Sequence, residues 1–376
     1  MPVPEHFVAD RSCPIVAVSG TPRRRGESHG EQLRDRISSG VARWHDALAS
    51  ETGQDPTTYL DDFLATTDFL ASIRRWTPDL LDEIEGIAAG SNQSYETILA
   101  YNLMDEEWLH QQRWRPSSLV GADEPHHCSA MGLRPAGGRP TIVAQNMDLP
   151  LHMDGSQCVL HVVADNGDPD VIVLTAAGLI ATTGANSAGV GTCMNALFQL
   201  DNEPEGLPVA FAIRGLLRRR TRAEAVEFLE SIDHASGQNY LVGDRTGVTS
   251  VECSARGTTV YEPDGPAISH TNHPLASEDT GQHLARMTSA AEGGESAMLN
   301  SKQRLALLEQ VLDDDPTIAG VVTALRDETV PVCRRARPDG GALTFGTVLL
   351  ELGQDPVVRV APGPPTQEPF RTVNFV

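Results

Sequence analysis

Lysine is nearly missing from this 376-residue chain: Lys302 is the only one. High-GC coding bias explains that scarcity without reference to function. Positive charge is short altogether, with 29 Lys and Arg against 51 Asp and Glu and a formal net charge of −22. Such a field repels a phosphate backbone, so nucleic acid is excluded as an expected partner. No apolar run approaches the length a membrane span needs, and Met1–His6 does not begin a basic-then-apolar leader. The expectation is a soluble protein of the cytoplasm with no membrane partner. The six cysteines (Cys13, Cys128, Cys158, Cys193, Cys253 and Cys333) are scattered, with no C-x-x-C pair. That argues against a disulfide framework and for reduced thiols. His126, His127 and Cys128, joined by His110 or His152, would be the one cluster suggestive of zinc. Adjacent residues on a strand point to opposite faces, so no metal is expected.

What is present is an ordinary globular composition, 40% hydrophobic and 21% charged, in a chain long enough for one large domain or two small ones. Its first third reads as helical. Ile37, Val41, Trp44 and Leu48 recur at helical spacing. Thr77-Pro78-Asp79 is a helix start, leading to a stripe of Leu80, Leu81, Ile84, Ile87 and Ala88 that Gly90 is placed to end. A further helix is predicted over Tyr95–Trp108, and an exposed loop over Pro116–His127. From Cys128 the pattern changes to short strands: 141–144, 159–163, 171–175, 189–194, 240–242, 248–253, 258–261 and 343–352. Helices are predicted over 214–232, with Ala223, Ala225, Val226 and Leu229 inward, and over 301–312. Pro362–Pro365 reads as rigid and extended. Helices and strands in blocks imply an α+β fold, mainly antiparallel sheet with helices layered on it.

The chemistry gathers around Cys128. It opens one strand, and Gln145-Asn146-Met147-Asp148 closes the next. A turn at Pro135-Ala136-Gly137-Gly138 brings Asp148 back beside it. A thiol needs a base to attack an acyl carbon. Twelve histidines leave a papain-type partner open. The alternative is the cysteine's own α-amine, freed by scission of the preceding bond. With a pKa of about 7.7–8.0 it can accept the thiol proton, and Asp148 could hold it by a charge-assisted hydrogen bond.

Here the sequence resembles the peptidase C45 family, typified by acyl-coenzyme A:isopenicillin N acyltransferase. The resemblance is carried by Cys128-Ser129-Ala130 with Gln145-Asn146-Met147-Asp148. It extends to Gly20-Thr21-Pro22 with Gly26, His29-Gly30 and Gln32, and to Glu83-Ile84-Glu85-Gly86-Ile87-Ala88-Ala89-Gly90. It continues through Asn186–Val190, Asn195, Asn239-Tyr240-Leu241, His270-Thr271-Asn272-His273-Pro274, and Ser301 with Arg304. It implies an αββα four-layer sandwich, the N-terminal nucleophile hydrolase fold. It also implies self-cleavage between His127 and Cys128, where the best-known member has glycine before the nucleophile. The products would be an α chain of 1–127 and a β chain of 128–376 that stay associated. By the same resemblance Cys128 is the nucleophile, Asp148 orients its amine, and Asn272 donates to the oxyanion. Asn195 is a second oxyanion or substrate-binding amide, Asn146 contacts substrate, and Arg304 holds down the thiolate pKa. The implied substrate is a linear amide, a β-lactam side chain or another small N-acyl compound. No cofactor is required, although a coenzyme A thioester could serve as acyl donor. The other readings are an unprocessed papain-type thiol hydrolase and a non-catalytic binding protein on the same fold.

Overall fold

A computed structural model of the protein describes residues 11–111, 127–280, 293–337 and 341–375, and the strands within them pair into two sheets. The eight-stranded sheet runs, numbered in chain order, β1 (Ile15–Val18), β4 (Gln157–Val162), β5 (Val171–Ala176), β6 (Thr183–Asn186), β7 (Gly191–Ala196), β8 (Gln238–Asp244), β9 (Gly247–Ser254) and β10 (Gly257–Tyr261). The six-stranded sheet runs β11 (Ala267–His270), β2 (Ser129–Leu133), β3 (Thr141–Pro150), β12 (Ala342–Leu352), β13 (Val357–Ala361) and β14 (Arg371–Val373). All pairings are antiparallel except β1 with β4.

Strands such as β4 and β5 are apolar on both faces because both faces are covered. Val159, Ile172, Leu174 and Leu241 of the first sheet meet Val143, Val348 and Leu350 of the second. Their neighbours point outward. Leu160, Val173 and Met194 meet helices on one side. Met131, Ile142 and Leu349 meet α10 (Gly293–Asp314) and α11 (Ile318–Leu325) on the other. The first helical layer comprises α1 (Pro22–Gln32), α2 (Arg34–Thr52), α3 (Pro56–Ala65), α4 (Phe69–Trp76), α5 (Asp79–Ser91), α6 (Tyr95–Tyr101), α7 (Met104–Gln111), α8 (Val209–Leu216) and α9 (Arg222–Ser231). Helix, sheet, sheet, helix is the αββα sandwich that the resemblance implied.

The glycines of α1 and α5 have a steric reason. A Cβ at Gly26, Gly30, Gly86 or Gly90 would lie 2.0–2.5 Å from a backbone oxygen of the opposing helix, so α1 and α5 touch main chain to main chain. Between them Glu83, fully buried, accepts from both terminal nitrogens of Arg214 at 2.7 and 3.0 Å and from Arg25 at 3.3 Å. His29 Nε2 accepts from the backbone of Gly178, and the Asn102 side chain bonds Gly178 and Ile180. These contacts, with the β1–β4 pairing, stitch residues before 112 to residues after 126.

Several local expectations are corrected. α5 passes through Gly90 and ends at Asn92, whose φ of 60° makes it the left-handed cap. The helix predicted over 214–232 is two, separated before Thr221, whose side chain caps Glu224; Ala223 is exposed. The helix predicted over 95–108 likewise breaks between Tyr101 and Met104. Pro362–Pro365 is bent, with Pro364 accepting from Gln367 and Glu368 in a turn. The loop expected over 116–127 lies outside the described residues except for His127, as does His126.

Candidate active site

The hairpin between β2 and β3 sets the site. Gly137 and Gly138 both take positive φ (56° and 84°), and Arg139 N donates to Ala136 O at 2.9 Å, which is a type I′ turn. A hairpin centred there pairs Ser129 with Asn146. Cys128 therefore falls beside Met147 and Asp148.

Cys128 is buried and lines a tight cavity of about 30 Å³. Met104, Trp108, Met147, Leu149 and Met194 supply apolar wall. No histidine is among the described residues that line it, so nothing there matches a papain-type base. In the intact chain burial pushes the Cys128 thiol up to about 12, and the charge of Asp148 adds to the rise. Arg304 pulls the other way, as expected for it, but burial outweighs it.

Arg304, on α10, is fully buried. Its Nη1 donates to the carbonyl oxygens of His127 (2.8 Å) and Cys128 (2.7 Å) and to Ser129 Oγ (3.0 Å). Nη2 donates to Asn272 Oδ1 and Nε to Asn300 Oδ1, both at 3.0 Å. Among the described residues these acceptors are all neutral oxygens, and burial pushes the guanidinium down to about 10. Geometry and hydrogen bonds hold this cation, and the charge of Asp148 offsets part of the burial cost without a direct contact.

Asn195, on β7, spends both amide hydrogens on the main chain, donating to Cys128 O (3.1 Å) and His270 O (3.4 Å). Its Oδ1 accepts from Asn239, which in turn accepts from Ser250. Asn272 donates to Ala196 O, and its backbone N–H donates to Ser301 Oγ. Asp148 is fully buried on β3, accepting from Thr344 Oγ1 at 2.7 Å with Arg334 Nε at 3.2 Å. Burial pushes its carboxyl up to about 6. Asn146, expected against substrate, is not in the cavity wall. It is a structural pin: its amide donates to Leu325 O and Val332 O, and its oxygen accepts from Thr347. The structure thus brings His127, Cys128, Asp148, Asn195, Asn272 and Arg304 together and sets Asn146 apart.

Residues 135–357, more than half of the chain, match the family AAT, acyl-coenzyme A:6-aminopenicillanic acid acyl-transferase. The chain belongs to that family. It is similar to the 40 kDa form of acyl-coenzyme A:6-aminopenicillanic-acid-acyltransferase of Emericella nidulans, 26% identical over 69% of each chain. It is also similar to protein dcd1A of Dictyostelium discoideum, 24% identical over 62% of this chain and 53% of that one. Among solved structures it matches penicillin V acylase from Agrobacterium tumefaciens with a TM-score of 0.39 and 15% identity, over 66% of this chain and 86% of that one. As a member of that family the protein is an enzyme of acyl transfer.

Two members of the cavity wall in this acyl-transferase-family protein were not foreseen, Asp105 and Glu106 at the start of α7. Acids in a first helical turn ordinarily sit in solvent beside the positive end of the helix dipole. The sequence of α7 carries no signal that distinguishes them, since Asp105, Glu106, Glu107, His110 and Gln111 read as a polar face; only the structure shows all eight residues of the helix buried.

Proposed function

We propose that the protein is a self-processing cysteine amidohydrolase or acyltransferase acting on a small N-acyl compound through an acyl-cysteine. The observation that carries the reading is the grip on the 127–128 peptide bond. Arg304 donates to the carbonyl before it, Arg304 and Asn195 donate to the carbonyl after Cys128, and the sulfur faces a closed, mostly apolar cavity.

In self-cleavage the Cys128 sulfur attacks the His127 carbonyl carbon. The C–N bond breaks, the thiol proton ends on the departing Cys128 nitrogen, and a thioester links His127 to sulfur. Water then hydrolyses that thioester. Negative charge develops on the His127 oxygen, where the Arg304 guanidinium already donates; a donor so placed lowers such a barrier by roughly 3–4 kcal/mol.

Once free, the α-amine has an ordinary pKa of about 7.7–8.0 and takes the thiol proton. A positive nitrogen about 4 Å from sulfur favours the thiolate by about 4 kcal/mol at an effective dielectric of 20. The buried thiol of the intact chain is therefore held in reserve until cleavage. The thiolate attacks the substrate carbonyl, the amine or thiol leaving group departs with the proton, and the acyl group stays on sulfur. Water or an acceptor amine then takes the acyl group and returns a proton to the sulfur. Asp148 steadies the α-amine, Asn272 supplies the oxyanion with its remaining amide hydrogen, and Asn195 positions the nucleophile through its carbonyl.

The test is the intact mass of purified protein. Two pieces summing to the whole chain plus one water, one of them beginning at Cys128, are expected, and Cys128→Ala stays whole. A fully active preparation with residue 127 still attached defeats the proposal. Incubation with an acyl donor, with and without an amine, distinguishes transfer from hydrolysis by product mass.

A further inference from the structure

The wall of the Cys128 cavity is mostly apolar, with Tyr101, Asn102 and Thr182 as its neutral polar members, and at α7 Asp105 and Glu106 stand side by side as its only acids among the described residues. They are 8% and 4% exposed. No Arg, Lys or His is among the described residues lining this cavity, so no cation of the wall answers them. Their partners are few. Glu106 Oε1 accepts from Ser236 Oγ at 2.8 Å and from Val209 N at 3.2 Å. Asp105 Oδ1 accepts a long bond of 3.3 Å from Gln238 Nε2. Glu106 Oε2 is buried with no partner among the described residues. An ionised carboxylate oxygen left so is an acceptor without a donor, which burial makes costly. What the site lacks is a donor carrying positive charge.

We infer that this wall recognises an ammonium group: the substrate is an apolar body bearing a protonated amine, seated between Asp105 and Glu106 while its acyl carbon meets Cys128. The inference rests on reading Cys128 as the nucleophile and adds the substrate class. The held nitrogen is a handle and not the attacking amine, because a protonated nitrogen has no lone pair to offer a thioester. Burial pushes both carboxyls well above the ordinary carboxylate range, Glu106 further by the charge of Asp105, and a bound cation reverses that. Asp105 also reaches Cys128, where its charge disfavours the thiolate. An ammonium bound beside it cancels that effect, so a correct substrate helps to activate its own nucleophile. An anionic ligand meets only repulsion on this wall, and a net charge of −22 concentrates cations around the whole protein.

The experiment measures protection of Cys128 from iodoacetamide by hexylammonium, hexanol and hexanoate, read by peptide mass. Hexylammonium is expected to protect at concentrations at least tenfold below hexanol, and hexanoate not to protect. Glu106→Gln and Asp105→Asn, both near-isosteric, are each expected to shrink the hexylammonium advantage at least tenfold. Equal protection by hexylammonium and hexanol in the unaltered protein overturns the inference, as does an advantage that survives in both carboxamide variants. Calorimetric titration of hexylammonium into the same samples keeps the two readings apart. Tight, carboxylate-dependent binding with an unreactive Cys128 sinks the nucleophile and leaves the ammonium site standing. A reactive Cys128 without such binding does the reverse.

Discussion

Replacing Arg304 by lysine tests how the chain opens its own 127–128 bond. The guanidinium reaches His127 O, Cys128 O, Ser129 Oγ, Asn272 Oδ1 and Asn300 Oδ1 from one planar fork. A lysine ammonium keeps the charge but is a single point with three donors and cannot span that set. The contact to the His127 oxygen is the one that strengthens as negative charge gathers there. Its loss should raise the barrier by about 2.7–4 kcal/mol and slow cleavage about 10²–10³-fold. Orphaned acceptors would also cost about 1–3 kcal/mol each in stability, so the assay has two readouts. Precursor disappearance is followed by intact mass over time, and the melting temperature is measured on the same samples. The expected result is a folded protein, somewhat less stable, that remains one chain for hours after the unaltered protein is in two pieces. An Arg304→Lys protein that melts within a few degrees of the original and splits equally fast refutes the argument that this side chain stabilises the transition state.

Thiol reactivity gives a second prediction. Cys128 in intact chains, captured before cleavage, should react with iodoacetamide about 30-fold more slowly at pH 7 than in cleaved chains. The roughly 3-unit fall in pKa expected from the new α-ammonium raises the thiolate fraction about 10³-fold, and lower intrinsic nucleophilicity returns part of it; equal rates contradict the α-amine role. Gly30→Ala or Gly86→Ala should lower stability by about 1–3 kcal/mol or more, read by urea unfolding, because the added carbon meets a backbone oxygen at 2.5 or 2.2 Å. Glu83→Gln leaves the buried Arg214 without its counter-ion and Arg25 with Asp79 alone at 3.8 Å, and should cost about 3–5 kcal/mol by the same assay. Between pH 6.5 and 8.5 the melting temperature should fall as pH rises. The folded state holds protons on Asp105 and Glu106 up to about 7 and 8, whereas the unfolded chain has released them above about 4. Below pH 6.5 the buried neutral His29, His152, His234 and His273, held down to about 4, oppose this trend. Glu106→Gln should flatten the upper limb, and an unchanged slope there removes the proton from Glu106.

The hairpin was legible but its turn falls one residue later than expected, at 136–139 instead of 135–138: with Gly137 and Gly138 central, Cys128 lies opposite Met147 and next to Asp148. The strand layers were legible because burial on both faces leaves continuous apolar runs. Thr221 followed by Glu224 is a capping pair visible in the sequence, and it would have divided the helix predicted over 214–232. Gly90 misled because glycine serves two needs, a left-handed cap and a close helix contact, and here the contact with Glu27 O decides. Arg304 was placed by family pattern alone. Its partners lie as many as 177 positions away in sequence, and no local period encodes such a reach. Asn146 misled for a related reason, since a polar residue between strand neighbours reads as functional when its acceptors come from a distant loop. Asp105 and Glu106 were hidden by a good rule about helix starts that burial overrides.

The parallel pairing of β1 with β4 has a mechanical consequence. A strand from the front of the chain is zipped into a sheet made by the rest, and Glu83 clasps Arg214 across the same divide. If the link at 127 is severed, neither length owns a complete interior, so dilution alone cannot part them. The severed molecule should melt in a single step, and two separately made lengths should find each other only while both are still unfolded.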